Sequence, residues 1–127
     1  MGEQNLRHVG ITGSILGAAF AVHNGLGPGF LESIYEEALA HELRLRGMQV
    51  QRQVGVPVYY KGVLVGKHVL DLLVDDQVIV ELKAVKELAD IHSAIVLSYL
   101  AATGLAVALL LNFGRPSLQH KRLVRSA

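Results

Sequence analysis

The chain has 127 residues, of which 51% are hydrophobic and 18% charged, and its formal net charge is +1. This balance excludes an intrinsically disordered chain, because disorder requires low hydrophobicity and high net charge. The absence of cysteine excludes disulfides, thiolate zinc sites and cysteine nucleophiles. The length favours one domain over residues 1–127.

The mean hydropathy of +0.38 is high for a soluble domain. A membrane span needs about 18 consecutive apolar residues, and the longest apolar runs, 11–22 and 105–113, are shorter. The first residues also lack the hydrophobic segment of a signal peptide. We therefore expect a cytoplasmic protein without membrane contact, in which the excess apolar surface forms a homo-oligomer interface. The near-neutral charge leaves nucleic acid as a partner only through a local basic patch.

The first part of the chain predicts two helices. Apolar residues at helical spacing indicate a helix over residues 5–23, and its many small residues favour close helix packing. A glycine-rich break at 25–29 separates it from a second helix over 30–46, which ends before Gly47. The chain contains no Gly-Lys-Ser/Thr phosphate loop, so we expect no nucleotide cofactor.

From residue 48 the hydrophobic period changes from helical to alternating. This pattern predicts three strands, with a bulge at Gly66, and then a helix that Asp90 would cap. A continuous apolar run follows as a buried strand, and an edge strand ends the chain. The order α-α-β-β-β-α-β-β predicts an α/β fold with a mixed β-sheet flanked by helices. The predicted bounds are 48–60, 63–74 and 78–84 for the strands, 91–102 for the helix, and 105–113 and 118–124 for the last two strands.

Three charges stand inside apolar strands, at Asp71, Glu81 and Lys83. Glu81 and Lys83 share a face, because residues i and i+2 of a strand point to the same side. A two-residue hairpin loop would place Asp71 on the opposite face. A three-residue loop, 75–77, pairs Val74 with Val78 and sets Asp71 opposite Glu81. We predict this second register.

Two facing carboxylates in an apolar sheet repel each other unless a proton or a cation lies between them. Mg²⁺ suits such a pair, since it binds one or two carboxylates together with water and phosphate. Lys83 would then position a water or stabilise charge on a phosphate. The spacing alone equally allows an edge-strand charge pattern, in which Glu81 and Lys83 are solvated or Asp71 is bridged to Lys83.

The pattern of Asp71 followed by Glu81-Leu82-Lys83 resembles the core of the PD-(D/E)XK nuclease superfamily. The segment from Gly29 to Tyr35 is similar to the signature of its GxxExxY branch. The resemblance implies a restriction-endonuclease-like core that hydrolyses phosphodiesters with Mg²⁺ or Mn²⁺. It implies Asp71 and Glu81 as metal ligands and Lys83 as the catalytic lysine. It also implies Glu32 as an additional acidic residue of the catalytic site, which would hold the metal through water or bind a second ion.

Two positions depart from the pattern of many relatives. Ile95 stands where relatives carry a glutamine four residues before the helix tyrosine, here Tyr99, and Val69 stands where they often carry an arginine. Both departures remove polar groups from the neighbourhood of the expected site. The sequence therefore predicts a metal-dependent nuclease acting on DNA or RNA. The alternative is a weak or inactive nuclease-fold protein that works as a homo-oligomeric scaffold.

Overall fold

The computed structural model describes residues 7–125 as three helices and one five-stranded sheet. The element order is the predicted one, and seven of the eight elements begin and end within two residues of the prediction. The first helix is the exception, because His8 adopts a left-handed conformation and the helix begins only at Val9; residues 5 and 6 lie outside the described part. The elements are α1 (Val9–Leu26), α2 (Glu32–Leu45), β1 (Val50–Tyr60), β2 (Val63–Val74), β3 (Val78–Lys83), α3 (Asp90–Thr103), β4 (Val107–Asn112) and β5 (Gln119–Val124).

The strands lie in sequence order, and only β3 and β4 pair in parallel. The crossover helix α3 makes this parallel pair possible, since parallel neighbours need a long connection. The sheet is therefore mixed, as predicted. The central strands β3 and β4 are buried almost throughout, which explains their continuous apolar runs.

Two apolar cores cover the two faces of the sheet. The larger core joins α1 and α2 to residues such as Leu82 and Leu111, and the smaller one packs α3 against residues such as Ile79 and Leu110. Helix α1 has the length and apolar composition of a membrane span, with a third of that window buried. Within this fold its buried face, which includes Ile15, packs in the larger core.

The β1–β2 hairpin changes faces near its middle. On β2, Leu72 belongs to the core under α1 and α2, whereas Leu70 belongs to the core under α3. Regular alternation would place both on one face. On β1 the change occurs at Gln53, which has a φ of 53° and lies between the pairs Arg52–Leu72 and Val54–Leu70. Asp71 therefore lies at the twist of the hairpin.

Several local predictions need correction. The bulge in β2 falls at Val65, because the pairing shifts between Val58–Gly66 and Tyr59–Leu64, one residue before the predicted position. The residue that caps α3 is Ala89, not Asp90, and the Ala89 amide donates to Nδ1 of His92. These differences depend on side-chain contacts that hydropathy patterns do not report.

Candidate active site

The register of the β2–β3 hairpin confirms the three-residue loop. Val74 pairs with Val78 and Leu72 with Val80, so the next position along each strand sets Asp71 opposite Glu81. The turn contains Asp75 with a φ of 52°, and its carboxylate accepts a hydrogen bond from the Gln49 amide. This contact ties the turn to the start of β1 and stabilises the register.

The side chain of Asp71 reaches from β2 to β3 at the point where the regular pairing of these two strands ends. Its Oδ2 accepts a hydrogen bond of 2.9 Å from the backbone amide of Leu82. The Asp71 side chain thus binds a backbone amide on the edge of β3 that faces β2. The last backbone pair between the two strands is Leu72–Val80. The regular pairing of β2 with β3 therefore ends beside the two carboxylates.

Glu81 is the buried member of the carboxylate pair. Its residue is only 6% exposed, and among the described residues its Oε1 atom has no hydrogen-bond partner. Burial, followed by the negative charge of Asp71, raises the pKa of Glu81 to about 8. An isolated charged carboxylate at this position is unfavourable, so the site calls for a proton or a cation.

Lys83 supplies positive charge on the same side of β3. Its Nζ lies 3.8 Å from Oε2 of Glu81, as expected for residues i and i+2 of a strand. The pair is long for a hydrogen-bonded ion pair, and the lysine keeps about a quarter of its side chain exposed. Lys83 is therefore held near the carboxylates but remains available to an anion. The structure does not pair it with Asp71.

Glu32 approaches from the first turn of α2. Burial raises its pKa, Lys83 opposes that shift, and Asp71 reinforces it. These influences place the Glu32 carboxylate within electrostatic reach of both strand residues. The side chain nevertheless keeps contact with solvent, so Glu32 lies at the open side of the site.

The glycine loop before α2 determines where Glu32 lies. The Tyr35 hydroxyl donates to the carbonyl oxygen of Gly27 and accepts from the amide of Phe30, and its ring stacks on Phe113 at 4.7 Å. Tyr35 is thus a buried packing residue with a hydrogen-bonded hydroxyl. Because Glu32 lies three residues earlier on the same helix, this anchor fixes its approach to the sheet.

Tyr99 lies near the carboxylates, and His68 packs against it. Tyr99 is 8% exposed, and burial together with the charges of Glu81 and Asp71 raises its pKa to about 12. His68 packs its ring against Tyr99 with centroids 4.7 Å apart, and its Nε2 lies 3.2 Å from Oγ of Ser98. The resemblance had indicated the helix tyrosine, whereas no sequence signal indicated His68.

His23 is a buried histidine that connects two elements of the fold. It is 5% exposed, and its Nε2 lies 2.8 Å from the carbonyl oxygen of Arg115. Its ring also lies near Phe113 in the core. The residue links α1 to the loop after β4. His92 acts as a capping residue, since its Nδ1 accepts from the Ala89 amide.

The donor set fits a hard divalent cation, although residues 7–125 contain no tight cluster of three histidine or acidic side chains. Asp71 and Glu81 offer carboxylate oxygens, and the unpartnered Oε1 of Glu81 is a buried acceptor without a donor. Mg²⁺ commonly binds through one or two carboxylates and keeps several waters. A pair of carboxylates with a third acid nearby therefore meets its usual requirement.

Comparison with known families agrees with the fold. A profile of the PD-(D/E)XK nuclease superfamily matches residues 9–123, which covers all the helices and nearly all of the sheet. The chain belongs to the PD-(D/E)XK nuclease superfamily. Comparisons with curated proteins and with solved structures found no significant match.

Proposed function

We propose that this protein is a metal-dependent nuclease that hydrolyses phosphodiester bonds of DNA or RNA. The observation that carries the proposal is the buried, unpartnered Oε1 of Glu81 beside Asp71 and Lys83. A site built only for stability would give this oxygen a donor, since leaving a buried polar atom unpaired costs about 1–3 kcal/mol. In this proposal a bound cation satisfies the oxygen, whereas a proton shared with Asp71 is the alternative, and a metal titration distinguishes the two.

Each side chain has a distinct part in the proposed reaction. Asp71 and Glu81 would hold Mg²⁺ or Mn²⁺, and Glu32 would bind it through water from the open side. When bound, the ion lowers the pKa of a bound water and polarises the phosphoryl oxygens. Lys83 orients the attacking water or stabilises the negative charge that grows on the phosphate. Tyr99 closes the buried side and excludes bulk water.

Cleavage of labelled single- and double-stranded DNA and RNA tests the proposal, with Mg²⁺ or Mn²⁺ and with EDTA. We expect metal-dependent cutting that falls at least 100-fold, roughly the loss of one general-acid–base or electrostatic group, in Lys83→Ala. Lys86→Ala is the matched control, because Lys86 is an exposed lysine three residues further along. Equal activity in both variants would contradict the assignment.

Metal binding has a test that does not depend on turnover. Titration calorimetry with Mg²⁺ or Mn²⁺ should give a binding isotherm for the parent chain and none for the double variant Asp71→Asn, Glu81→Gln. Glu87→Gln, which alters a well-exposed carboxylate, should bind like the parent chain. Equal binding by the double variant would rule out the carboxylate pair as the metal site.

A nuclease-fold scaffold is the second candidate function, and the exposed apolar surface favours it. Ile95 and Val69, which replace polar residues of many relatives, are 37% and 39% exposed. Under this reading the protein works as a homo-oligomer and the carboxylates and Lys83 form a residual ion network. A folded oligomer that binds no metal and cuts none of the four substrates would favour the scaffold. Either reading is compatible with a cytoplasmic protein.

A further inference from the structure

The β1–β2 hairpin extends well beyond the rest of the sheet. We call residues 54–69 the tongue. Within it β1 and β2 pair as far as Tyr60 and Val63, whereas β2 pairs with β3 only over residues 72–74. Within residues 7–125, no strand pairs with the outer edge of β2 from residue 63 to 70. The backbone amide and carbonyl groups on that edge are free to pair with another strand.

The tongue also carries a concentration of exposed apolar side chains. Five large residues near its tip are 59–63% exposed: Tyr59, Tyr60, Val63, Leu64 and Val65. The charged residues of the tongue are Lys61 and Lys67, and it contains no acidic residue. Along the open edge, Lys67 is the only lysine or acidic residue and there is no proline. The bulge at Val65 is the one other feature of the kind that protects sheet edges.

We propose that the tongue is the surface through which two copies of this chain associate, with β2 of one copy pairing antiparallel to β2 of the other. Antiparallel pairing of identical strands about a two-fold axis is self-complementary, so one edge serves both copies. We place the axis at Val65. There Lys67 faces Val63 of the second copy, whereas an axis at Lys67 would set two like charges opposite each other.

The apolar area of the tongue is suited to such a dimer. Five side chains of this size at about 60% exposure present on the order of 500 Å² per chain, comparable to the largest apolar patch of a typical monomer. A stable dimer buries about 800 Å² per partner. The exposed apolar side chains of the tongue therefore provide part of the required surface, and the backbone and flanking residues of β2 add to it.

A second copy explains the tongue better than nucleic acid does. Tyr59, Tyr60 and the lysines would suit stacking on bases and contact with phosphates. However, Val63, Leu64 and Val65 are equally exposed, and aliphatic side chains neither stack on bases nor bind phosphate. Pairing of the two β2 edges brings these three residues against the same residues of the second copy, and Tyr59 and Tyr60 flank them on β1. The dimer is independent of the proposed nuclease activity.

The mass of the intact chain in solution, measured by light scattering after gel filtration at micromolar concentration, tests the proposal. We expect a dimer for the parent chain and a monomer for Val65→Lys, with the far-ultraviolet circular dichroism unchanged. Leu45→Lys is the matched control, because Leu45 is 68% exposed at the end of α2 and should leave the dimer intact. A monomeric parent chain, or a Val65→Lys variant that remains dimeric, would overturn the proposal.

A cross-link tests the axis without relying on a destabilising variant. The parent chain has no cysteine, so Val65→Cys introduces a single thiol. Opposed residues of an antiparallel pair have Cα atoms about 4.5–5.5 Å apart, within the range for a disulfide. Mild oxidation should convert Val65→Cys, but not Leu45→Cys, into a covalent dimer. Absence of that covalent dimer would refute the dimer surface. A parent chain that is monomeric, and whose binding to single-stranded DNA is weakened by Tyr59→Ala, would refute it as well.

Discussion

Glu81 illustrates the conflict between function and stability at the scale of one residue. The carboxyl group lies in a strand buried on both faces, and the charge of Asp71 adds to the effect of burial. Its pKa of about 8 lies above the ordinary value of 4.5, so folding favours the protonated form. Such strongly raised values are common where a side chain serves a ligand.

The raised pKa predicts how stability changes with pH in the metal-free protein. Below pH 4.5 the carboxyl group is protonated in both states and carries no penalty. Between 4.5 and about 8 the unfolded chain loses this proton before the folded chain does, so the contribution to the free energy of unfolding falls as pH rises. The total loss is at most about 5 kcal/mol.

Glu81→Gln should therefore be more stable than the parent chain at pH 8 in EDTA, and the gain should shrink towards pH 5. Chemical denaturation at the two pH values measures the difference. Glu87→Gln serves as the control, because its side chain is 69% exposed and its substitution should change stability by no more than about 0.5 kcal/mol. A Glu81→Gln gain that does not depend on pH would contradict the assignment of the penalty to ionisation.

At the scale of elements, β4 fixes the loop that leaves the site. Asn112 is fully buried, its Oδ1 accepts from the amides of Val85 and Gly114, and its Nδ2 donates to the carbonyl of Val85. The Phe113 amide also donates to the carbonyl of Lys83. The chain after Lys83 is therefore bound closely to the end of β4, which holds the lysine in place.

This close approach requires glycine at position 114. A Cβ atom there would lie 2.6 Å from the Val85 nitrogen and 2.7 Å from the Ala84 carbonyl carbon. Gly114→Ala should therefore lower the free energy of unfolding by about 2–3 kcal/mol, because backbone must move to relieve the overlap. Thermal unfolding measures the effect.

Gly13→Ala is the matched control for that substitution. Gly13 lies in α1 with open space around its Cα, and alanine is the better helix former by about 0.5–1 kcal/mol. We therefore expect this variant to be more stable than the parent chain. Equal destabilisation by both substitutions would show that the tight contact at Gly114 is not the cause.

At the scale of the whole molecule, metal binding should couple the site to the stability of the fold. Metal ligands bind in their deprotonated form, and a ligand that binds only the folded state raises its stability. Mg²⁺ should therefore raise the melting temperature more at pH 8.5 than at pH 6, where Glu81, with a pKa of about 8, is largely protonated. The double variant Asp71→Asn, Glu81→Gln should show no such shift. An equal shift at both pH values would argue against Glu81 as a ligand.

The sequence by itself determined the fold class, the order of the elements and the three charged strand positions. Hydrophobic periods of 3.6 and two are local properties, and a charge inside an apolar strand is visible without coordinates. The hairpin register was also accessible, because only the three-residue loop brings Asp71 to Glu81, and the structure has that register.

Tertiary structure alone decided which distant groups surround the carboxylates and how far the hairpin projects. Tyr99 and His68 meet through the packing of α3 on β2, a contact between segments about 30 residues apart. The twist at Gln53 and Asp71, the burial of His23 and the unpaired edge of β2 likewise arise from long-range packing. Periodicity indicates which side of an element is apolar. It does not indicate which other element packs against that side, or over which residues the packing extends.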